Sequence, residues 1–433
     1  MRTKRQYPSI AALSIIVLLI VCAVAPIFST RSHAARDESL IVSTATRAGR
    51  LAVFDDVWET IQERYYDPTF RGIDWEASRL AFRPAAAEAK NSEDLYGLLR
   101  RMIAPLKDAH TRVFSPEEKF DWWNPRFVTI GVTLRDVEGK PTVVQVEPNS
   151  AAAKAGLRTG DVVVNIDRVS SLELLARRVH DGNLTGTARL RAVRGLFEGS
   201  AGTPLTLTWK TKEGRTKSTV LERYWSQRTL GFRSYRSDGI AIINLDAFTQ
   251  TIANDFLKQL PTMIGDARGI ILDLRGNGGG DAEAMAIIAS AFLPDGINLG
   301  KFADRTGSSF QLVTTRRLSV LSSNAAAGRL PMIVLTNETT SSAAEILAAT
   351  LQHQQRAVVV GGTTCGCVLA IRHRHTLPDG GVLDVSEFDY RTAEGVRLEG
   401  VGVTPDQPIT ITRTDLYAKR DVALERAKKS LPR

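Results

Sequence analysis

Apolar residues recur along the chain in three patterns, and each pattern predicts a different kind of structure. Between residues 47 and 104 they fall three or four positions apart, which is typical of amphipathic helices. From residue 127, stretches rich in Val, Leu and Thr alternate with turn-forming residues, which indicates a β domain. From residue 239, apolar runs of the kind found in buried parallel strands alternate with helical segments, which predicts an α/β core.

The boundaries of these elements follow from the same periodicities. One helix is predicted at 47–66 and two more within 74–104. The core strands are predicted at 239–245, 269–274, 331–335 and 357–360, and the helices between them at 251–264, 281–292 and 342–353. A last helix is expected within 413–431, where the sequence indicates no packing partner.

The N-terminus has the pattern of an export signal. Residues 2–5 carry three positive charges, residues 10–28 are almost wholly apolar, and a small-x-small cleavage site occupies 32–34, before Ala35. A periplasmic or secreted protein is therefore expected. The apolar run is also long enough to anchor an uncut chain in the inner membrane.

Composition excludes several classes of protein. The chain has 433 residues, of which 43% are hydrophobic and 24% charged, as in a globular protein of two to four domains. The net charge is +9, but basic residues form no run with interleaved aromatics, so nucleic acid is not an expected partner. Three cysteines are too few for a disulfide scaffold. Cys22 lies in the N-terminal apolar segment, and the single residue between Cys365 and Cys367 is expected to strain a bond between them.

The segment 331–351 predicts a strand, a polar turn and a helix. Thr340 or Ser341 is expected to cap that helix, and Ser342 falls at its N-terminus, where backbone N–H groups have no intrahelical acceptor. A serine in this position is suited to act as a nucleophile beside an oxyanion site. These residues alone leave a second interpretation open, in which the serines and threonines only cap the helix.

A glycine-rich loop, 273–280, follows another predicted strand and lets the backbone approach a ligand closely. It lacks both the lysine of a P-loop and the G-x-G-x-x-G pattern, so nucleotide binding is excluded and no cofactor is predicted. His373 and His375 alternate on a predicted strand without a supporting carboxylate pattern. They are expected to face solvent, and no metal site is predicted.

The β segment resembles a PDZ domain, through the stretch EPNSAAAKAGLRTGD at 147–161. The resemblance implies that the loop formed by Ile130, Gly131 and Val132 holds a peptide carboxylate while the peptide adds as an edge strand. A packing domain with an empty groove stays open as the alternative, because the loop carries Thr129 in place of a glycine. Residues 168–200 exceed what such a domain needs and are interpreted as a mobile loop with a helix at 171–179.

Five segments follow one another in the order DLRGNGGG, NETTSSAAEILAATL, RAVVVGGTTCG, LPDGG and LEGVGVTPD. This order resembles the C-terminal processing peptidases of serine peptidase family S41. The resemblance implies a ClpP/crotonase-like protease core with Ser342, three residues before Glu345, as the nucleophile. It also implies an oxyanion hole built from the Ala343 N–H and the glycine-rich loop, for which Gly279 and Gly280 are the candidates.

The chain departs from this family where the general base should be. The main branch has a T-x-G-K pattern followed by a glutamine, and its lysine takes the serine proton. Here Cys367 occupies the lysine position and Ile371 the glutamine position. No lysine occurs between Lys301 and Lys419, so the Ser–Lys dyad is absent. Ala344 also replaces a second family serine.

A second branch, of the tricorn type, offers a different base. It carries a D-G-H pattern in the helical region and a late glutamate before G-V-x-P-D, which this chain matches with Asp108, His110 and Glu399. His110 would take the Ser342 proton and Glu399 would orient the imidazole. Histidine suits this role because its ordinary pKa of about 6.5 lies near working pH. The departure is Ala109, where the tricorn type has a serine.

Loss of catalysis remains the alternative interpretation. The protein would then bind peptides only, with Ser342 as a helix cap, His110 as a structural residue and Cys367 as a small residue buried in a strand. Cys367 is disfavoured as a replacement nucleophile or base, since nothing nearby in sequence would ionise it. The joint presence of serine, histidine, glutamate and glycines favours an active enzyme.

Together these observations predict an exported serine endopeptidase that acts on polypeptides or proteins presented by a PDZ-like domain. The sequence leaves its oligomeric state open. The predicted domains are a signal or anchor at 1–34, a helical region at 35–120, a PDZ-like domain with an insertion at 121–225, the protease core at 226–412 and a helical tail at 413–433.

Overall fold

The computed structural model describes residues 41–118, 121, 124–178, 190, 192–314 and 327–432. The predicted export signal and residues 179–189 and 191 of the predicted insertion lie outside these residues. The chain separates after Ile41, and the elements below belong to the unit that begins at Val42. Across these described ranges, no helix combines the length and apolar character needed to cross a bilayer.

The secondary structure confirms the predicted succession of helices, β domain and α/β core. The helices are α1 (Arg47–Arg64), α2 (Trp75–Ala87), α3 (Ser92–Ile103), α4 (Ala151–Lys154), α5 (Ser171–Arg178), α6 (Gln250–Ile264), α7 (Ala282–Ala289), α8 (Ala343–His353), α9 (Arg413–Tyr417) and α10 (Val422–Ser430). The strands are β1 (Arg112–Phe114), β2 (Arg126–Thr129), β3 (Val132–Val137), β4 (Lys140–Val146), β5 (Val162–Ile166), β6 (Val169–Ser170), β7 (Pro204–Lys210), β8 (Thr216–Glu222), β9 (Tyr224–Gln227), β10 (Phe232–Ser237), β11 (Ile240–Leu245), β12 (Gly269–Asp273), β13 (Asn298–Asp304), β14 (Ser309–Val313), β15 (Met332–Thr336), β16 (Val358–Gly361), β17 (His375–Thr376), β18 (Val382–Asp384), β19 (Phe388–Arg391) and β20 (Gln407–Pro408).

The three N-terminal helices share a buried core with a distant part of the chain. Side-chain oxygens of Thr46, Asp74 and Asn91 accept N–H groups at the starts of α1, α2 and α3. Their apolar faces pack together and against residues that flank and form β18. Strand β1, which follows α3, pairs antiparallel with β18. The helical region is therefore built into the α/β core.

One prediction for this region is wrong. His375 does not face solvent, because its Nε2 lies 2.6 Å from Asp56 Oδ2 on α1 and its side chain is only 18% exposed. His373 is exposed, as predicted. The difference arises because α1 packs over the start of β17, a contact between residues 319 positions apart that periodicity alone does not reveal.

The PDZ-like domain is a sheet of strand order β3-β4-β5-β7-β8, with β6 paired to β5. Most of its buried side chains come from these strands, from α5 and from residues 192–197. Among the described residues, strand β3 pairs in this sheet only with β4, so its other side forms an edge. Arg126 to Thr129 of β2 pair with β9 and form a separate ribbon.

The core sheet has the order β10-β11-β12-β15-β16-β20, in which all strands except β10 run parallel. Helices α6, α7 and α8 cover one face of the sheet. The carboxyl ends of β12, β15 and β16 lie at the same edge. The loops 274–280, 337–341 and 362–369 leave these ends and meet there, where ligands bind in open α/β sheets.

The C-terminal segment covers the opposite face of this sheet. Ala423, Ala427 and Leu431, on α10 and just after it, join a cluster with apolar residues of β11, β12, β15 and β16. Arg275 fixes the start of this helix, since its guanidinium donates to both Asp273 and Asp421. This packing supplies the partner that the sequence did not indicate.

Replacing Arg275 by alanine is expected to lower the free energy of unfolding by about 2 kcal/mol. The change leaves Asp273 buried without its partner, and the cost is below that of a fully buried pair because the Asp421 side chain is 42% exposed. Denaturant titration measures it. Arg426→Ala, on the exposed side of α10, is the matched control and is expected to change stability by less than about 0.5 kcal/mol. Equal effects of the two changes would contradict the prediction.

Candidate active site

Ser342 lies at the junction between the 337–341 turn and α8, in a conformation that is rare for a residue with a side chain. Its φ is 56° and its ψ is −128°, and it is itself the N-cap of the helix. The prediction that Thr340 or Ser341 caps α8 is therefore wrong: the Thr340 hydroxyl donates instead to the Leu274 carbonyl, 2.9 Å away. Such a backbone costs on the order of 1–3 kcal/mol and persists only where its surroundings enforce it.

The glycine-rich loop packs directly against this serine. The Ser341 N–H donates to the Asn277 carbonyl at 3.0 Å. A Cβ atom on Gly279 would lie 2.5 Å from Ser342 Cβ, so only glycine allows the loop to come this close. The Asn277 side chain holds the loop in place by accepting the Gly279 N–H at 2.8 Å.

The predicted oxyanion residues lie in the two segments that meet at this serine, the start of α8 and the glycine-rich loop. Ala343 is the first residue of α8, where the backbone N–H has no acceptor within the helix. Gly280 follows Gly279 and forms a parallel bridge with Phe248, which anchors the far end of the loop. The Gly279 N–H already donates to Asn277, so of the two loop candidates Gly279 is the less suited to bind an oxyanion.

Glu345 is a fully buried carboxylate that connects the helix start to the 362–369 loop. Its Oε2 accepts the N–H groups of Ser342 at 3.0 Å and Cys367 at 2.8 Å. Its Oε1 accepts the Thr364 hydroxyl at 2.5 Å and the Gly366 N–H at 2.6 Å. Burial raises the pKa of Glu345 to about 7, against the opposing effect of these donors.

Glu345→Gln is expected to lower the free energy of unfolding by about 1–3 kcal/mol, because the new amide N–H₂ cannot accept from the buried N–H groups that converge on this position. The loss should be accompanied by a fall in peptidase activity, since the Ser342 N–H is among those donors. Unfolding curves and peptide assays measure both. Glu283→Gln changes an exposed glutamate in the first turn of α7 and should alter neither. An unchanged stability in Glu345→Gln would contradict the prediction.

The residue at the position of the family lysine is held in a disulfide. Cys365 and Cys367 are bonded, with their Cα atoms 5.2 Å apart, within the range that such bonds normally span. Cys367 lies in a loop, not in a strand as the alternative interpretation has it. Its carbonyl accepts the Ser342 N–H at 2.9 Å. The expected strain of this spacing therefore does not prevent the bond from forming.

Glu399 is buried beside the same loop. Its Oε2 accepts the Val368 N–H at 2.9 Å. Burial raises the pKa of Glu399, and the nearby charge of Asp108 raises it further, while Arg71 acts in the opposite direction. Asp108, in the segment that also carries His110, is therefore close enough for its charge to affect Glu399.

His110 lies in that segment and is 9% exposed. Its backbone N–H donates to Asp108 Oδ1 at 2.8 Å, and the same oxygen accepts the Thr111 N–H and the Ser386 hydroxyl. Asp108 thus fixes the backbone that carries the histidine to a loop of the α/β core. The sequence motif included Asp108 but did not predict these hydrogen bonds.

The predicted carboxylate loop of the PDZ-like domain is tightly held. Ile130, Gly131 and Val132 are all buried, and the Gly131 N–H donates to the Thr129 hydroxyl at 2.9 Å. The threonine that replaces the family glycine therefore occupies one of the N–H groups expected to hold a peptide carboxylate.

A contact that the sequence analysis did not anticipate joins this domain to the nucleophile turn. Arg135, on the edge strand β3, forms a bidentate ion pair with Glu338, and the Nη2 to Oε2 distance is 2.5 Å. Glu338 belongs to the turn that leads to Ser342. No signal in the sequence links the two residues, because they are 203 positions apart.

Three parts of the chain match known families. Residues 239–409 match peptidase family S41, residues 46–104 match the tricorn protease C1 domain, and residues 128–195 match a PDZ domain. The chain is 29% identical over 427 residues to the chloroplastic carboxyl-terminal-processing peptidase 2 of Arabidopsis thaliana, covering 94% of this chain and 76% of that protein. It is 26% identical over 390 residues to a carboxyl-terminal-processing protease of Synechocystis, covering 86% and 84%.

A solved structure shares the fold. The photosystem II D1 C-terminal processing protease aligns with a TM-score of 0.54 and 22% identity, over 88% of this chain and 97% of that one. Family S41 processing peptidases are serine-type enzymes, and the residues matched here include the strand, turn and helix that carry Ser342. Residues 239–409 therefore form an S41 serine-type peptidase domain, which this chain combines with a tricorn C1 domain and a PDZ domain.

Proposed function

We propose that this protein is an exported endopeptidase that receives polypeptides by their C-terminal region and cleaves them at a Ser342–His110 site. The observation that carries the proposal is the backbone of Ser342, a non-glycine residue with a φ of 56° at a strand-turn-helix junction. Strained residues of this kind are retained at functional sites. A residue that served only as a cap would adopt extended backbone angles without this cost.

In the proposed mechanism, the Ser342 hydroxyl attacks the scissile carbonyl while His110 takes its proton. The histidine later gives the proton to the leaving amine, and Glu399 orients the imidazole and stabilises its charged form. The N–H groups of Ala343 and Gly280 stabilise the oxyanion. The burial of Glu399 against the 362–369 loop and the effect of the Asp108 charge on its pKa support this assignment.

The PDZ-like domain is proposed to present the substrate. The free edge of β3 is suited to pair with an extended peptide. Arg135 on the same strand contacts the turn before Ser342, which supports a path from the bound peptide to the site.

Export to the periplasm or beyond, with or without an anchor in the inner membrane, rests on the N-terminal sequence pattern. A buried disulfide supports it, because such bonds persist in oxidising compartments.

The proposal is tested with unfolded polypeptides and with a matched peptide pair that differs only in a free or amidated C-terminus. The purified protein is expected to cleave the unfolded chains, to prefer the free C-terminus through a lower KM, and to be labelled by a fluorophosphonate at Ser342. A protein that binds peptides but neither cleaves them nor reacts with the probe would be a binding protein that has lost catalysis. Equal KM values for the two peptides would contradict the proposed recognition of the C-terminus but not the proposed peptidase activity.

A further inference from the structure

The turn that contains the Cys365–Cys367 disulfide holds the nucleophile from both sides. The Cys365 N–H donates to the carbonyl of Thr340, two residues before Ser342, at 2.9 Å. The Cys367 carbonyl accepts the N–H of Ser342 itself at 2.9 Å. The Cys367 N–H donates to Glu345, three residues after Ser342, at 2.8 Å. The backbone of the two cysteines therefore contacts residues before, at and after the nucleophile.

These contacts matter because the backbone conformation of Ser342 is unfavourable without support from its neighbours. A non-glycine residue at positive φ reverts to a relaxed backbone unless its neighbours enforce the strained one. The Ser342 N–H is directed at the Cys367 carbonyl and the Glu345 carboxylate. A shift of the cysteine turn would release both the N–H and one of the donors that fix Glu345.

The turn that carries the disulfide is closely packed. Gly366, between the two cysteines, has a φ of 67°, and a Cβ atom there would lie 2.8 Å from the Val401 nitrogen. Its carbonyl accepts the Gly400 N–H at 2.8 Å. Cys365 is 8% exposed and Cys367 is 2% exposed.

We propose that the Cys365–Cys367 disulfide is a positioning element of the active site, which fixes the turn that holds Ser342 in its reactive conformation. The oxidised protein is then the active form. In this chain a covalent constraint stands where the related enzymes carry the lysine of their dyad. The proposal rests on the proposed peptidase function, and the experiment below separates the failure of one from the failure of the other.

Reduction removes the constraint by ordinary thiol–disulfide exchange. A thiolate of dithiothreitol attacks one sulfur and forms a mixed disulfide, and its second thiol then releases the protein. Two electrons and two protons end on Cys365 and Cys367, while the reagent is oxidised to its cyclic disulfide. The two thiols are no longer held at the bonded distance of about 2.05 Å, so the turn relaxes.

The test compares kcat and KM of the full-length protein before reduction, after reduction with dithiothreitol, and after reoxidation, with thiol titration at each stage. Reduction is expected to lower kcat by about tenfold to a hundredfold at unchanged KM, the size of effect that a misplacement of about 1 Å produces. Fluorophosphonate labelling of Ser342 should slow by the same factor, and reoxidation should restore both. The double variant Cys365→Ser/Cys367→Ser should have the kcat of the reduced wild type, and dithiothreitol should not change it. In protein that keeps residues 1–34, Cys22→Ser is the matched control and should respond like the wild type.

Three outcomes would overturn the assignment. The first is an unchanged or higher kcat in protein that titration shows to be reduced. The second is a melting temperature that falls below the assay temperature on reduction, since the disulfide would then stabilise the whole fold rather than the site. The third is a rise in KM without a fall in kcat. If the oxidised wild type neither cleaves peptides nor reacts with the fluorophosphonate, the proposed peptidase function itself has failed.

Discussion

Ser342→Ala is expected to lower kcat/KM by on the order of 10⁶-fold, the cost of removing the nucleophile of a serine peptidase. The change removes the attacking oxygen and leaves the rest of the turn in place. Cleavage of an unfolded substrate, followed by mass spectrometry of the products, measures the loss. Ser341→Ala alters the neighbouring serine and is the matched control, because the Ser341 contact to Asn277 is made by its backbone. Cleavage that survives Ser342→Ala would exclude this serine as the nucleophile.

Ser342→Gly should be as inactive as the alanine variant but more stable than the wild type. Glycine adopts a φ of 56° without strain, so the free energy of unfolding is expected to rise by about 1 kcal/mol. Alanine keeps the strain and should bring no such gain. Denaturant titration of the three proteins distinguishes these effects. A glycine variant less stable than the alanine variant would show that the backbone at Ser342 is not strained.

His110→Ala is expected to lower kcat by about 10²–10⁴-fold, the usual contribution of a general base. The Cys365–Cys367 disulfide leaves no free thiol at the lysine position, so the loss should not be compensated from there. Fluorophosphonate labelling of Ser342 should slow in parallel, because the probe also needs an activated serine. Single-turnover kinetics measure the effect on the chemical step.

His353→Ala is the matched control, since this histidine is 54% exposed and pairs with Glu394 away from Ser342. It should keep the wild-type kcat. The kcat of Glu399→Gln should lie between those of His110→Ala and His353→Ala, because an amide still accepts a hydrogen bond but does not stabilise a charged imidazole. An undiminished kcat in His110→Ala would remove the histidine from the mechanism and leave the peptidase without an assigned base.

Elements that depend on local patterns were predictable from the sequence. The apolar run of β15 and the helix-forming residues of α8 locate Ser342 at a strand-turn-helix junction, as the structure has it. The three N-terminal helices and the parallel strands of the core follow from periodicity in the same way. The choice of Ser342 over its neighbours came from the resemblance, since any of the four polar residues at 339–342 is a suitable cap.

Features that depend on contacts between distant segments were not predictable. The hydrogen bonds around Glu345 form only when the 362–369 loop folds over the helix start, and nothing in the local sequence marks that loop. The sheet formed by β13, β14 and β19 was missed for the same reason, because its third strand comes from 388–391. The positive φ of Ser342 has no sequence signal, since serine is not a residue that favours it.

The packing of the helical region against β18 affects how the protein folds during synthesis. Tyr96 on α3 donates to Asp379, a contact between residues 283 positions apart, and the helical core is incomplete without Leu383 and Val385. Contacts between residues so far apart in sequence form late in folding, because a long loop must close before they stabilise the fold. A chain emerging from the ribosome therefore carries its N-terminal helices with their core open until residues 377–385 have also emerged. The helical region is completed only together with the protease core.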